Sequence, residues 1–144
     1  GLGDVYKRQA KGGTAPLAGV YKFAEPVTTP GFTYMDSPGY DPCSVTGQIA
    51  SGATIIVFTT GRGSVSGYKP SPCIKLATNS EMYGRMKEDM DINCGDILDG
   101  VSIESKGIEI LQKIISVASG EQSLSEQLGF GGAEFVPWQI GAVM

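Results

Sequence analysis

Histidine is absent from this 144-residue chain, which removes Ser-His-Asp and Cys-His catalysis and the usual zinc sites from these residues. Acid–base work would fall to lysine, carboxylate, tyrosine or cysteine. Cysteine is scarce too: Cys43, Cys73 and Cys94 lie far apart, are odd in number and form no CxxC pair. A disulfide framework is therefore not expected, and a reducing cytoplasm suits such thiols. Neither GxxxxGK[ST] nor GxGxxG occurs, so no nucleotide cofactor is expected. No apolar run reaches the roughly 18 residues of a membrane span, and the first residues lack a signal peptide's basic-then-apolar order. The expectation is a soluble protein with no membrane partner. With 11 basic against 15 acidic residues the formal charge is -4, which argues against generic nucleic-acid binding, since that needs a basic face to displace counterions.

What is present fits one globular domain: 41% of residues are hydrophobic and 18% charged. The first nine residues are set apart. Asp4 to Gln9 read DVYKRQ, the translation of GAT-GTG-TAT-AAG-AGA-CAG, which resembles the end of a transposon-based sequencing-library adapter. Residues 1–9 are accordingly expected to pack poorly and are excluded from fold reasoning, as a cloning scar would be. The alternative is a natural basic tail.

From Ala10 onward, strand-like and helix-like segments alternate. That pattern predicts an α/β fold with a small, largely parallel sheet flanked by helices and a ligand rim at the carboxyl ends of the strands. Leu17, Val20, Tyr21 and Ala24 have helical spacing up to Pro26. Residues 32–36 (FTYMD) read as a strand entering a Pro38-Gly39 turn, and a helix follows with Asp41 as N-cap, Pro42 at its first position and Gly52 as its stop. Residues 53–60 (ATIIVFTT) form a β-branched and aromatic run, expected to be buried on both faces in the middle of a sheet. Residues 73–78 (CIKLAT) are its expected neighbour, and Ser80 is expected to cap a short helix. The strongest helix spans about 103–119, with Ile103, Ile108, Leu111, Ile114, Ile115 and Ala118 on its core stripe, Ser102 as N-cap and Gly120 as stop. Ser123 and Glu126 form a capping box, and the apolar carboxyl-terminal stretch with Trp138 is expected to dock on the body.

The loops after Asp36, Thr60 and Thr78 should share one rim, so that Asp36, Thr60 and Asn79 converge. In TTGRGS, Gly61 and Gly63 allow close backbone approach, Thr59, Thr60 and Ser64 offer hydroxyl donors, and Arg62 can grip a carboxylate with two bonds. An organic anion is the natural guest; the bland reading is a glycine turn with a solvent-facing arginine. Lys69, stiffened by Pro70 and Pro72, is a candidate clamp or base. The alternative for Lys69 and Lys75 alike is an ordinary surface lysine, and for Lys75, within a strand, that is the favoured reading. Glu88, Asp89, Asp91 and Asp96 cluster with Asn93, an oxygen-rich set of the kind that hard divalent cations prefer, with a solvated acidic loop as the alternative.

Taken in order, MDSPGYDPCSVTGQIASGA, VFTTGRGS, KPSPCIKLATN, DMDINCGDILDG and FVPWQIGAVM resemble the carboxyl-terminal part of the altronate/galactarate dehydratase family. GYDP and VPWQIG look closer to the altronate branch. Many relatives have a cysteine before the Lys-Pro, where this chain has Tyr68, and a non-cysteine at the place of Cys73. The resemblance implies dehydration of a sugar acid to a 2-keto-3-deoxy acid with help from a divalent metal, Fe2+ or alternatively Mn2+. It also implies that this is a fragment inactive alone, whose partner is the missing upstream part of the same enzyme, with a homo-oligomer allowed. Under it, Arg62, the loop amides and Lys69 would hold charge on the substrate carboxylate. Lys69 and Asp36 would be the catalytic pair, Thr59, Thr60, Gly61, Arg62, Gly63, Ser64 and Asn79 would bind substrate, and Asp91, Asn93 and Asp41 would serve the metal. A sulfolactate sulfo-lyase subunit and a non-catalytic organic-acid-binding or assembly module are the alternatives.

Overall fold

The structure, a computed structural model, describes residues 12–137. The adapter-like residues 1–9 and the docking expected of Trp138 lie outside that range. The chain divides into two compact units that meet between Gly52 and Ala53. Each contains its own small parallel sheet, so the α/β class stands while the single sheet expected from the sequence becomes two.

In the first unit, β1 (Leu17–Tyr21) pairs in parallel with β2 (Phe32–Met35), with an irregularity between Leu17 and Gly19. Here the helical spacing was misleading. Five residues are too few for periodicity to separate helix from strand, and Val20 and Tyr21 favour the extended form. Tyr21 secures the long return between the strands: its hydroxyl donates to Thr29 Oγ1 at 2.7 Å and accepts the Thr29 N–H at 3.0 Å. Helix α1 (Asp41–Ala50) follows with Pro42 in its first turn, but its N-cap is Tyr40 and Asp41 already lies inside. A Cβ at Gly47 would collide with the Phe23 ring, so glycine lets that ring lie directly on the helix.

The second unit holds β3 (Ile56–Thr60), β4 (Cys73–Ala77) and β5 (Ile92–Asn93), all parallel, in the order β3-β4-β5. The central strand is β4, every residue of which is buried. The apolar run of β3 sits instead at an edge, with Val57 and Thr59 exposed. Its composition signalled a strand correctly but not its position in the sheet.

Strand alternation divides the side chains of β4 between two faces. Ile74 and Leu76 join Ile92 and Val117 in one core, completed by the partly buried Ile55, Cys94, Ile110 and Ile114. Ala77 packs with Met82 and Met90 in a second core, against which Tyr83 and Met86 lie. Helix α2 (Ser80–Arg85) follows β4, and the short 3-10 turn Gly95–Asp99 follows β5. Helix α3 (Ile103–Ala118) has the expected Ser102 cap, whose Oγ accepts the Ser105 N–H at 3.1 Å, and it stops at Gly120 with φ +104°. Its inward stripe differs from the expected one. Lys106, Ile110, Ile114 and Val117 face inward or are partly covered, whereas Ile103, Ile108, Leu111 and Ile115 are exposed. Helix α4 (Leu124–Gln127) begins with the expected capping box.

Candidate functional site

The register aligns the ends of the three strands of the second unit, because Thr60 stands opposite Ala77 and Ala77 opposite Asn93. The loops that leave these ends therefore meet along one edge. Thr60 organises the first of them: its Oγ1 accepts the Gly63 N–H at 3.1 Å and the Arg62 N–H at 3.3 Å. Gly63 has φ +98°, and a side chain there would run into Met86. Asn79 links this loop to the next element, since its Nδ2 donates to the Gly61 carbonyl at 3.0 Å while its Oδ1 accepts the Met82 N–H at 2.8 Å. It is thus Asn79, rather than Ser80, that caps α2. Asn93 closes the row: its Nδ2 donates to Ser80 Oγ at 3.0 Å and its Oδ1 accepts the Gly95 N–H at 2.9 Å.

Of the residues singled out from the sequence, Thr60, Gly61, Gly63, Asn79 and Asn93 are brought together by these bonds. Arg62 extends from the same loop, exposed to solvent, and makes no ion pair among the described residues. Thr59 is exposed, and Ser64 shares a 2.7 Å hydroxyl contact with Ser66. Lys69 is exposed on the β3–β4 connection. Asp36 and Asp41 are exposed residues of the first unit.

The proposed metal donors have other engagements. The Asp91 side chain is fully buried, with Oδ2 accepting the Lys75 N–H at 2.8 Å and Oδ1 accepting the Leu124 N–H at 3.0 Å. Asn93 is held as above, and Asp41 belongs to the first unit. Among the described residues no group of three or more acidic, cysteine or histidine side chains is arranged to hold a metal ion. The donors among the described residues do not fit a complete metal site.

Sequence reasoning missed Lys75. It is fully buried on β4, and its Nζ has no hydrogen-bond partner among the described residues. Burial pushes the pKa of its ammonium below the ordinary lysine value. The sequence marked only its place in a strand; that β4 is central and buried throughout, which keeps a lysine there from water, is a tertiary fact. Lys106, also buried, contrasts with it, for its Nζ meets Asp96 at 2.9 Å and also Glu109. Burial alone would lower the Lys106 pKa, but the bonds to Glu109 and Asp96 outweigh it and hold the pKa above the ordinary value. Burial pushes the Cys73 thiol up to about 12, so it is not a nucleophile at neutral pH.

Comparison with known proteins places this geometry in context. Residues 7–143 match a family model described as D-galactarate/Altronate dehydratase, C-terminal. The chain is 38% identical over 135 residues to the galactarate dehydratase (L-threo-forming) of Escherichia coli (strain K12), covering 90% of this chain and 26% of that protein. It is 37% identical over 112 residues to the altronate dehydratase of Bacillus subtilis (strain 168), covering 77% of this chain and 22% of that one. The (2R)-sulfolactate sulfo-lyase subunit beta of Chromohalobacter salexigens is 32% identical over 129 residues, 89% of this chain and 32% of the subunit. The chain thus spans 22% to 32% of the length of these relatives. These identities do not single out the altronate branch.

Proposed function

Since the chain belongs to the D-galactarate/altronate dehydratase family through its C-terminal domain, we propose that it supplies part of the substrate-binding surface of a hydro-lyase that dehydrates a sugar acid to a 2-keto-3-deoxy acid. The observation that carries this reading is the row of bonded strand ends, Thr60, Ala77 and Asn93, with the exposed Arg62 leaving the first of them. Elimination from such an acid removes a proton next to a carboxylate, and that proton is only weakly acidic. Cations and donors that hold the charge developing on the carboxylate oxygens lower the barrier. Arg62 has the right chemistry, because a guanidinium meets a carboxylate with two parallel bonds. Lys69, exposed on the connection that follows, supplies a second cation or a base. The upstream part of the polypeptide would complete the site, as the relatives are several times longer.

Arg62→Ala in the complete dehydratase tests the clamp by 2-keto-3-deoxy acid formation. Loss of a charge-assisted hydrogen bond should lower kcat/KM on the order of ten- to a hundredfold. An unchanged kcat and KM would remove Arg62 from the site. The sulfo-lyase subunit among the relatives supports a second reading, in which the leaving group is sulfite instead of water. Sulfite release measured beside keto-acid formation separates the two.

A further inference from the structure

Two lysines are buried in the second unit, and they are treated differently. Lys106 is held by two carboxylates. Lys75 is fully inaccessible, yet its Nζ has no hydrogen-bond partner and no ion pair within 4.0 Å among the described residues. The acidic groups whose charge reaches it are Asp89, Asp91 and Glu134. Asp91 cannot turn toward it without releasing the two backbone N–H groups that it accepts. A buried ammonium without a partner opposes folding, so its presence on the central strand calls for a counter-charge that the described residues do not supply.

The strand assigns Lys75 a place. It alternates onto the face of β4 that bears Ala77, and by register Phe58 and Thr60 of β3 share that face. The second core, built on Ala77 and Met82, lies there, and the loop glycine Gly63 rests on Met82 and Met86. The glycine loop with Arg62 and the buried Lys75 are therefore on the same side of the sheet, away from the Ile74–Leu76 core that α3 covers. Farther along, Gly131 packs on the backbone of residues 67–69 so tightly that a Cβ would come within 2.8 Å of the Lys69 nitrogen.

We propose that Lys75 is an anion-binding residue of this domain, whose ammonium receives a carboxylate of the sugar-acid substrate. The inference rests on the dehydratase reading for the identity of the anion, but not for its charge. A dicarboxylate such as galactarate would meet Arg62 and Lys75 with its two ends, whereas an aldonate would meet one cation with its carboxylate and the other with hydroxyls. The depressed pKa of Lys75 agrees with a site emptied of its counter-charge, and binding of an anion would raise it again.

The test reads the Lys75 Nζ resonance of the 15N-labelled wild-type chain during titration with galactarate, and needs no substitution. A saturable shift of Lys75, with Lys106 unmoved, is the expected result; no shift up to saturating galactarate, in this chain and in the complete dehydratase, overturns the proposal. Lys75→Met gives a second readout. It should raise the melting temperature of the ligand-free chain, because an unpaired charge is replaced by an apolar side chain of similar length. In the complete dehydratase it should lower kcat/KM at least tenfold, with Lys75→Arg restoring part of the loss. A variant that melts lower, or that turns over normally, argues for a purely structural lysine and overturns the proposal. If the wild-type enzyme forms no 2-keto-3-deoxy acid while Lys75 still responds to galactarate, the dehydratase reading fails and the anion site stands.

Discussion

Asp91 and Lys75 are bonded to each other twice through the backbone of β4: the Asp91 N–H donates to the Lys75 carbonyl at 2.9 Å, and Asp91 Oδ2 accepts the Lys75 N–H at 2.8 Å. The remaining oxygen, Oδ1, accepts the first N–H of α4 at Leu124. One buried carboxylate thus ties the segment before β5 to the central strand and to a short helix distant in sequence. This is an architectural task, and it makes a prediction different from that of a metal ligand. Asp91→Ala should destabilise the metal-free protein by about 1–3 kcal/mol for each orphaned backbone donor. Urea unfolding in the presence of a chelator measures this. An unchanged midpoint would show that the carboxylate is spare and free for another role.

The second buried lysine sets a pH dependence whose sign follows from its partners. Lys106 has its pKa held above the ordinary 10.5 because the bonds to Glu109 and Asp96 outweigh burial. A raised folded-state pKa means that the pair's stabilisation is fully present below the unfolded value and is lost as pH rises through the folded one. The urea midpoint of the wild-type protein should therefore fall more steeply than that of Lys106→Met as the pH is raised above the ordinary lysine value of 10.5. Parallel curves for the two proteins would mean that the Lys106 pair does not contribute.

How much of this was legible in the sequence differs by element. Ser102, Gly120 and the Ser123–Glu126 pair marked helix ends correctly because capping is local chemistry: a hydroxyl or carboxylate within three residues, or a glycine that accepts positive φ. The stripe of α3 was misread because isoleucine and leucine occur on both sides of it, and periodicity cannot choose between two apolar faces. The packing on Ile74 and Leu76 makes the choice for Ile110, Ile114 and Val117. The spacing within β1 reads as helical because its decisive partner, β2, is a non-local one. At the site, the glycine loop is evident from its composition, whereas the burial of Lys75 depends on β4 being the middle strand, a tertiary fact. Asp91 and Asn93 were grouped as metal donors for their oxygens, but the backbone amides of Lys75, Leu124 and Gly95 claim those oxygens first.

Asn79 allows the structural and binding contributions of the strand-end loops to be separated. Its Oδ1 caps α2 through the Met82 N–H, and its Nδ2 holds the Gly61 carbonyl. Asn79→Ala removes both, and loss of the cap alone should cost about 0.5–2 kcal/mol. Asn79→Asp keeps an acceptor for Met82 but has no donor for Gly61, and its charge faces the positive end of α2. Its stability should therefore stay near wild type while the glycine loop loosens. Amide hydrogen exchange at residues 61–63 would report that loosening directly, with faster exchange in both variants despite their different stabilities. If Asn79→Asp exchanges there as slowly as the wild type, the bond to Gly61 does not fix the loop. Under the proposed carboxylate clamp, a loosened loop that presents Arg62 should raise KM of the full-length enzyme more than it lowers kcat, because positioning of the carboxylate is what would be lost.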